Sequence, residues 1–299
     1  MCPGDILVMS GAIECLHQQY PNQYLTDVKT SADAIYENSP RITKLDDDVT
    51  TIKMEYPLIN ECNQRPVHFL QGYVDYLGHM LGINLVCRVT RPYLYLSDDE
   101  KKWLPQVQEI TKRPIKYWII NAGIKSDYTT KAWGVENYQK VVDLLKGKVQ
   151  FVQIGEKHHN HPKLNNVIDM IGKTDTRQLI RLCYNAEGGL GPITFIQHIF
   201  AAFEKPYVCL LGGREPLQWE HYSTQTMMST VGALPCCKTG GCWMSRIEPL
   251  GDKDSKDTSL CRFPVFTSSG VIPKCMSLIS PESVSECILR YYYGGILSF

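Results

Sequence analysis

Three short segments of the sequence gather residues suited to holding a phosphate. Asn121-Ala-Gly123-Ile-Lys-Ser-Asp-Tyr-Thr129-Thr130-Lys131 combines a glycine that lets an anion approach the backbone, hydroxyls that donate to its oxygens, and a lysine of compensating charge. The same composition would equally serve a solvated loop with an ordinary surface lysine. Glu187-Gly-Gly-Leu-Gly191-Pro192-Ile-Thr194 precedes a helical stretch carrying His198, so its glycines would admit a diphosphate beside the free N–H groups of a helix start. His198 alone reads as a packed or capping residue as readily as a ligand. In Gly155-Glu156-Lys-His-His-Asn-His161, Glu156 could accept hydrogen bonds from a ribose or base. The three histidines share no helical face and read as part of a polar loop rather than a metal site.

Cysteine supplies the fourth feature. The chain of 299 residues holds twelve cysteines. Cys2, Cys15, Cys62, Cys87, Cys183 and Cys209 are scattered, whereas Cys236, Cys237, Cys242, Cys261 and Cys275 crowd residues 234–276 and Cys287 falls on a final apolar helix. Charged and polar residues interrupt the apolar stretch after Asp5, so no secretory signal is expected, and reduced thiols in the cytoplasm are favoured over a disulfide framework. Four thiolates drawn from the crowded five would suit a tetrahedral zinc or iron ion, with the choice between Cys236 and Cys237 open. Unliganded thiols and disulfides are the competing readings. Asp5, finally, lies in a glycine turn at a helix start, where a carboxylate could either deprotonate an acceptor hydroxyl or cap the helix.

These residues need elements to hold them. Ile6, Met9, Ile13 and Leu16 are spaced as one face of a helix of about 15 residues, closed by Pro21-Asn22. Tyr24 to Val28 reads as a short strand, Phe69 to Leu81 as a helix and Val86 to Leu96 as extended chain. Ser97-Asp98-Asp99-Glu100 should cap a helix running through Val107. A stretch without apolar periodicity between Glu109 and Lys116 marks a boundary, giving domains 1–112 and 113–299. From Tyr117 strands and helices alternate: strand 117–121, helix 135–145, strands 149–154 and 167–170, and helix 176–183. A loop over 184–192, helix 194–203 and strand 207–211 complete the series. That order predicts an α/β fold with a parallel sheet, whose ligands bind at the strands' carboxyl ends. The strand that should precede the glycine turn is almost absent, so a displaced or truncated amino terminus is expected. Lys plus Arg and Asp plus Glu both number 31, so no global basic field collects nucleic acid or anionic lipid, and no apolar run approaches the roughly 20 residues of a membrane span.

Taken together the segments resemble glycosyltransferase family 9, the ADP-heptose-dependent heptosyltransferases. The resemblance rests on Gly4-Asp5-Ile-Leu with Ala12-Ile13 and Tyr20-Pro21, on Thr130-Lys131-Ala-Trp133 with Tyr138, and on Ile154-Gly155-Glu156. It continues through His198 to Pro206, Gly212-Gly213 and Trp219 to Tyr222. It implies a GT-B fold of two Rossmann-like domains facing a central cleft, and inverting, metal-independent transfer of a sugar from a nucleotide-sugar such as ADP-heptose. By the resemblance Asp5 would be the general base. Lys131 and Thr130, with Gly123 and Thr129 in the same loop, would hold the donor diphosphate, and Glu156 the ribose or adenine. Gly191, Pro192, Thr194 and His198 would take the rest of the donor. The cysteine-rich segment is similar in kind to that of the bacterial autotransporter heptosyltransferases, which carry a four-cysteine iron site, modify proteins and form large homo-oligomers. The acceptor would be a glycan, a protein or a small molecule. The family's Asp-x-Gly is replaced here by Glu187-Gly-Gly-Leu-Gly-Pro192, which keeps a second reading open, a silent binding or assembly module. A sugar transferase acting on nucleic acid is a third reading, disfavoured by the zero net charge.

Overall fold

The structure is a computed structural model, which describes residues 2–55, 65, 67–125, 127–239, 242 and 245–299. Cys62 lies outside the described residues. The chain opens with helix α1 (Pro3–Gln19). Pro3 needs no N–H partner at the first helical position, and the Asp5 carboxylate accepts the Cys2 N–H at 2.8 Å. The expected single apolar face is surpassed, because every residue from Ile6 to Leu16 is buried. Such a helix needs partners all round. Helix α2 (Phe69–Leu81), as anticipated, packs against it and ends at Gly82 in the left-handed conformation. Gly11 allows the approach: a Cβ there would lie 2.5 Å from Leu70 Cδ2.

The expected strand at Tyr24–Val28 is not a strand. Its extended backbone is held by single bonds, Thr43 N–H to Thr26 O at 2.8 Å and Leu45 N–H to the Asp27 carboxylate at 3.1 Å, rather than by a ladder. Among the described residues before Trp118 no strand forms. The helix expected through Val107 is split in two. Ser97 and Glu100 make the anticipated capping box for α3 (Asp98–Lys102), but Pro105 interrupts, and α4 (Gln106–Thr111) follows separately.

The remainder is built on six parallel strands. In chain order they are β1 (Trp118–Ile120), β2 (Phe151–Gln153), β3 (Ile168–Asp169), β4 (Gly188–Pro192), β5 (Tyr207–Gly212) and β6 (Gln225–Ser229). Helices α5 (Val135–Leu144), α6 (Thr176–Asn185) and α7 (Phe195–Ala202) connect them. The spatial order β3-β2-β1-β4-β5-β6 is that of a doubly wound dinucleotide-binding sheet. The polar-looking edge strand β6 was not anticipated. β4 corrects the expected loop over 184–192, and packing leaves no room for a side chain at its first two glycines. A Cβ on Gly188 would lie 2.6 Å from the Trp118 ring, and one on Gly189 2.7 Å from both Phe200 and Tyr207.

Side chains alternate across the sheet. Ile119, Val152 and Tyr207 face a core shared with α6, α7, α1 and α2, whereas Trp118, Ile120, Phe151 and Val208 face α5 and the final helix (Pro281–Tyr293). The first hundred residues therefore cover one sheet face through a continuous apolar core. Arg177 on α6 adds a polar tie, reaching Glu100 at 2.5 and 2.7 Å and Ala34 O at 3.3 Å. After β6 come the hairpin β7 (Pro264–Thr267) and β8 (Gly270–Pro273), short α8 (Lys274–Ser277), and α9 (Pro281–Tyr293). The hairpin lies inside the segment read only for its cysteines. No helix among the described residues is long and apolar enough to cross a membrane.

Candidate functional site at the switch point of the sheet

β1 pairs with both β2 and β4, so the strand order reverses between β1 and β4. A crevice opens at the carboxyl ends of such strands. Lys131 reaches it from a single 3-10 turn, Thr129–Lys131, and its ammonium donates to Ile193 O, just beyond β4, at 3.3 Å. Loss of solvent pushes the Lys131 amine down to about 8, helped by the Arg214 cation and opposed by Glu215 and Glu220. The two threonines beside it are committed elsewhere. Thr129 Oγ1 accepts the Ile247 N–H at 2.8 Å, and fully buried Thr130 donates to Cys242 O and Ser245 O at 3.0 and 3.3 Å.

The other expected donor residues lie at different depths. Gly191 and Pro192 are buried in β4, and Pro192 O accepts the Tyr207 hydroxyl at 3.1 Å. Thr194 is the N-cap residue of α7, with Asn121 Nδ2 donating to its hydroxyl at 3.4 Å. Gly123 follows β1, where a Cβ would lie 2.0 Å from His161 Nδ1, and one on Gly155 would lie 2.4 Å from the same ring. His161 therefore fills the space beyond β1 and β2, with Nδ1 buried and unpartnered. Sequence reasoning treated it only as one of three loop histidines. Glu156 is exposed, 3.3 Å from His159 Nδ1. His198 is a packed core residue. Its Nδ1 lies 3.0 Å from the Tyr222 hydroxyl, its ring would meet a Cβ on Gly4 at 3.1 Å, and burial pushes its imidazole down to about 3.

Asp5 enters the same region from the start of α1, one residue beyond Gly4. Arg214, Glu215 and Glu220 were missed, although the loop after β5 is where a parallel sheet places chemistry. Arg214 pairs with Glu215, and both are buried. Burial pushes the Glu220 carboxyl well up, reinforced by Glu215 and Asp5 and opposed by Arg214. Its Oε1 sits 3.9 Å from His198 Nε2.

The five crowded cysteines do meet. Cys236, Cys237, Cys242, Cys261 and Cys275 line one cavity of about 110 Å³ beside Gly213. A Cβ on Gly213 would lie 2.6 Å from Cys237 Sγ and 3.3 Å from Cys275 Cβ. No three of them are drawn together as a coordination set among the described residues, and no disulfide joins the described cysteines. Cys287 packs in the core with α9, as expected.

A doubly wound parallel sheet in this strand order is the architecture of the nucleotide-binding α/β class. The model of glycosyltransferase family 9 (heptosyltransferase) matches residues 64–242, and the chain belongs to that family. It is a glycosyltransferase of heptosyltransferase type. No curated protein matches the sequence. Among solved structures, a family 9 glycosyltransferase from Veillonella parvula is similar in fold at TM-score 0.62 and 14% identity, over 96% of this chain and 93% of that one. The E. coli ADP-heptose LPS heptosyltransferase II is similar at TM-score 0.61 and 13% identity, over 99% and 98%. The iron-containing dodecameric glycosyltransferase TibC from enterotoxigenic E. coli is similar at TM-score 0.64 and 16% identity, over 98% of this chain and 74% of that one.

Proposed function

We propose that the chain transfers a heptose, or a related sugar, from an ADP-linked donor to an acceptor hydroxyl with inversion. The observation that carries this reading is the Lys131 ammonium, carried by the loop after β1 and donating to Ile193 O just beyond the carboxyl end of β4. There it neutralises the leaving diphosphate as charge develops on it. The acceptor oxygen attacks the anomeric carbon, the bond from that carbon to the diphosphate oxygen breaks, and the acceptor proton passes to Asp5. Glu156 serves the ribose or adenine, and Gly123, Gly191, Pro192 and Thr194 line the donor's path. Thr129, Thr130 and His198 support the site from behind, since their polar atoms bond to the protein. In this reading residues 1–112 form the acceptor side and 113–299 the donor side. The ADP donor is supported by the name of the E. coli relative of similar fold.

A structural zinc or iron ion on four of Cys236, Cys237, Cys242, Cys261 and Cys275 belongs to the same reading. All five cysteines line one cavity of about 110 Å³, which supports it, but no three of the described ones stand together as a coordination set. A four-thiolate ion would brace the segment and offer no open position for catalysis.

Calorimetric titration with ADP, GDP and UDP tests the donor site. Micromolar binding of ADP, lost in Lys131→Ala, is the expected result. Equal binding by the variant, or no binding of any nucleotide, would sink the reading.

A further inference from the structure

The donor loop and the cysteine-rich segment are joined by one buried guanidinium. Arg246 is almost fully buried, yet it is bound by three carboxylates from two parts of the chain. Nη1 donates to Asp252 and Asp257 at 2.8 and 2.5 Å, and Nη2 to Asp252 and Asp127 at 2.8 and 2.9 Å. Asp252 and Asp257 lie in the cysteine-rich segment, whereas Asp127 lies four residues before Lys131. Lys256 closes the far side, 3.5 Å from Asp127 and over the Tyr128 ring at 5.4 Å.

The guanidinium does not act alone. Ile247 N–H on Thr129 Oγ1, and Thr130 on Cys242 O and Ser245 O, continue the seam directly to Lys131. Behind it, Arg246 O accepts the Cys261 N–H at 2.8 Å, so the same residue is tied to a cysteine of the cavity. A single 3-10 turn has too few bonds to fix its own position. The turn Thr129–Lys131 is instead held from outside, by hydrogen bonds with Cys242, Ser245 and Ile247 and by packing against β5 and β8.

A buried guanidinium with several carboxylates is poor evidence of added stability, because desolvation offsets much of the attraction. Its geometry is directional, however, and a planar fork holding acids from two segments fixes one relative placement. We propose that Arg246 is a positioning residue for Lys131, through Asp127, so that the cysteine-rich segment sets how tightly the donor diphosphate is held. The inference rests on the donor reading above. It adds that the segment acts on nucleotide affinity through this seam and not only on folding.

The test measures two properties of the full chain carrying Asp127→Asn, with Arg246→Lys as a second variant. The first is the pH profile of Lys131 modification by an amine-reactive reagent, read peptide by peptide. The second is the ADP dissociation constant. Asp127 is partly exposed, at 39% of its side chain, so its neutral isostere removes one arm of the clasp without opening the core. Wild-type Lys131 should titrate near pH 8. In Asp127→Asn its midpoint should move toward that of an ordinary lysine, and ADP should bind roughly tenfold more weakly. Arg246→Lys, which cannot span three carboxylates, should fall on the same side. A lowered unfolding midpoint with unchanged Lys131 profile would make Arg246 a staple of the segment only and overturn the inference. If wild-type protein binds no ADP the donor reading fails, while the Lys131 profile still decides whether the clasp positions the lysine.

Discussion

Two regions flank Lys131 and are held by different physics. The sheet side, β1 and β4, is fixed by parallel backbone ladders with aromatic rings pressed onto glycines. The segment side, residues 242–261, is fixed by side chains: Arg246 with three carboxylates, two threonine hydroxyls and a serine pair at 3.1 Å. The sheet is insensitive to any single polar group but intolerant of added volume. The segment depends instead on its charges and hydroxyls. Lys131, placed at their junction, is held by both.

The largest expected effect lies on the sheet side. Gly189→Val should destabilise the fold by about 3 kcal/mol, because its side chain would enter the Phe200 and Tyr207 rings 2.7 Å away. Denaturant unfolding measures this, and a neutral result would mean the glycines are not there for packing. Next comes the segment side. Thr130→Val preserves shape but strips hydrogen bonds from Cys242 O and Ser245 O, costing about 2 kcal/mol with a matching loss of ADP affinity. A stability loss with full affinity would separate the segment from the donor site.

The junction itself should show in pH. The Lys131 ammonium is present below about pH 8 and lost above it, so ADP affinity should fall as pH rises, approaching tenfold per unit. Lys131→Arg, which stays charged, should flatten that profile in calorimetry across pH 7 to 10. The smallest effect is remote from both regions. Ser280 accepts the Ser283 N–H at 3.1 Å as N-cap of α9, and Ser280→Ala should lower stability by about 1 kcal/mol without touching nucleotide binding.

Much of the sheet side was legible in the sequence because its signals are local. The periods of β1, β2, β5, α5, α6 and α7 name the elements, and their alternation names the parallel sheet. β4 was not legible, since Gly188, Gly189 and Gly191 read as loop until Trp118, Phe200 and Tyr207 are seen against them. The strand expected at Tyr24 failed for the complementary reason: extended chain without a laddered neighbour is not a strand. Lys131 and the cysteine-rich segment were singled out by residue type and spacing, while the coordination set expected on the cysteines is not drawn together among the described residues. The clasp could not, because Asp127 and Arg246 are distant in sequence and charged residues in loops ordinarily read as solvated. Nor could the burial of Glu215 and Glu220 in the loop after β5.

The most direct measurement is an experimental structure of the full chain with ADP. The diphosphate should lie within hydrogen-bond distance of Lys131 Nζ, between the carboxyl ends of β1 and β4, with the nucleoside directed toward Glu156. A diphosphate bound away from Lys131, with the lysine still donating only to Ile193 O, would contradict the assignment of the switch point as the donor site.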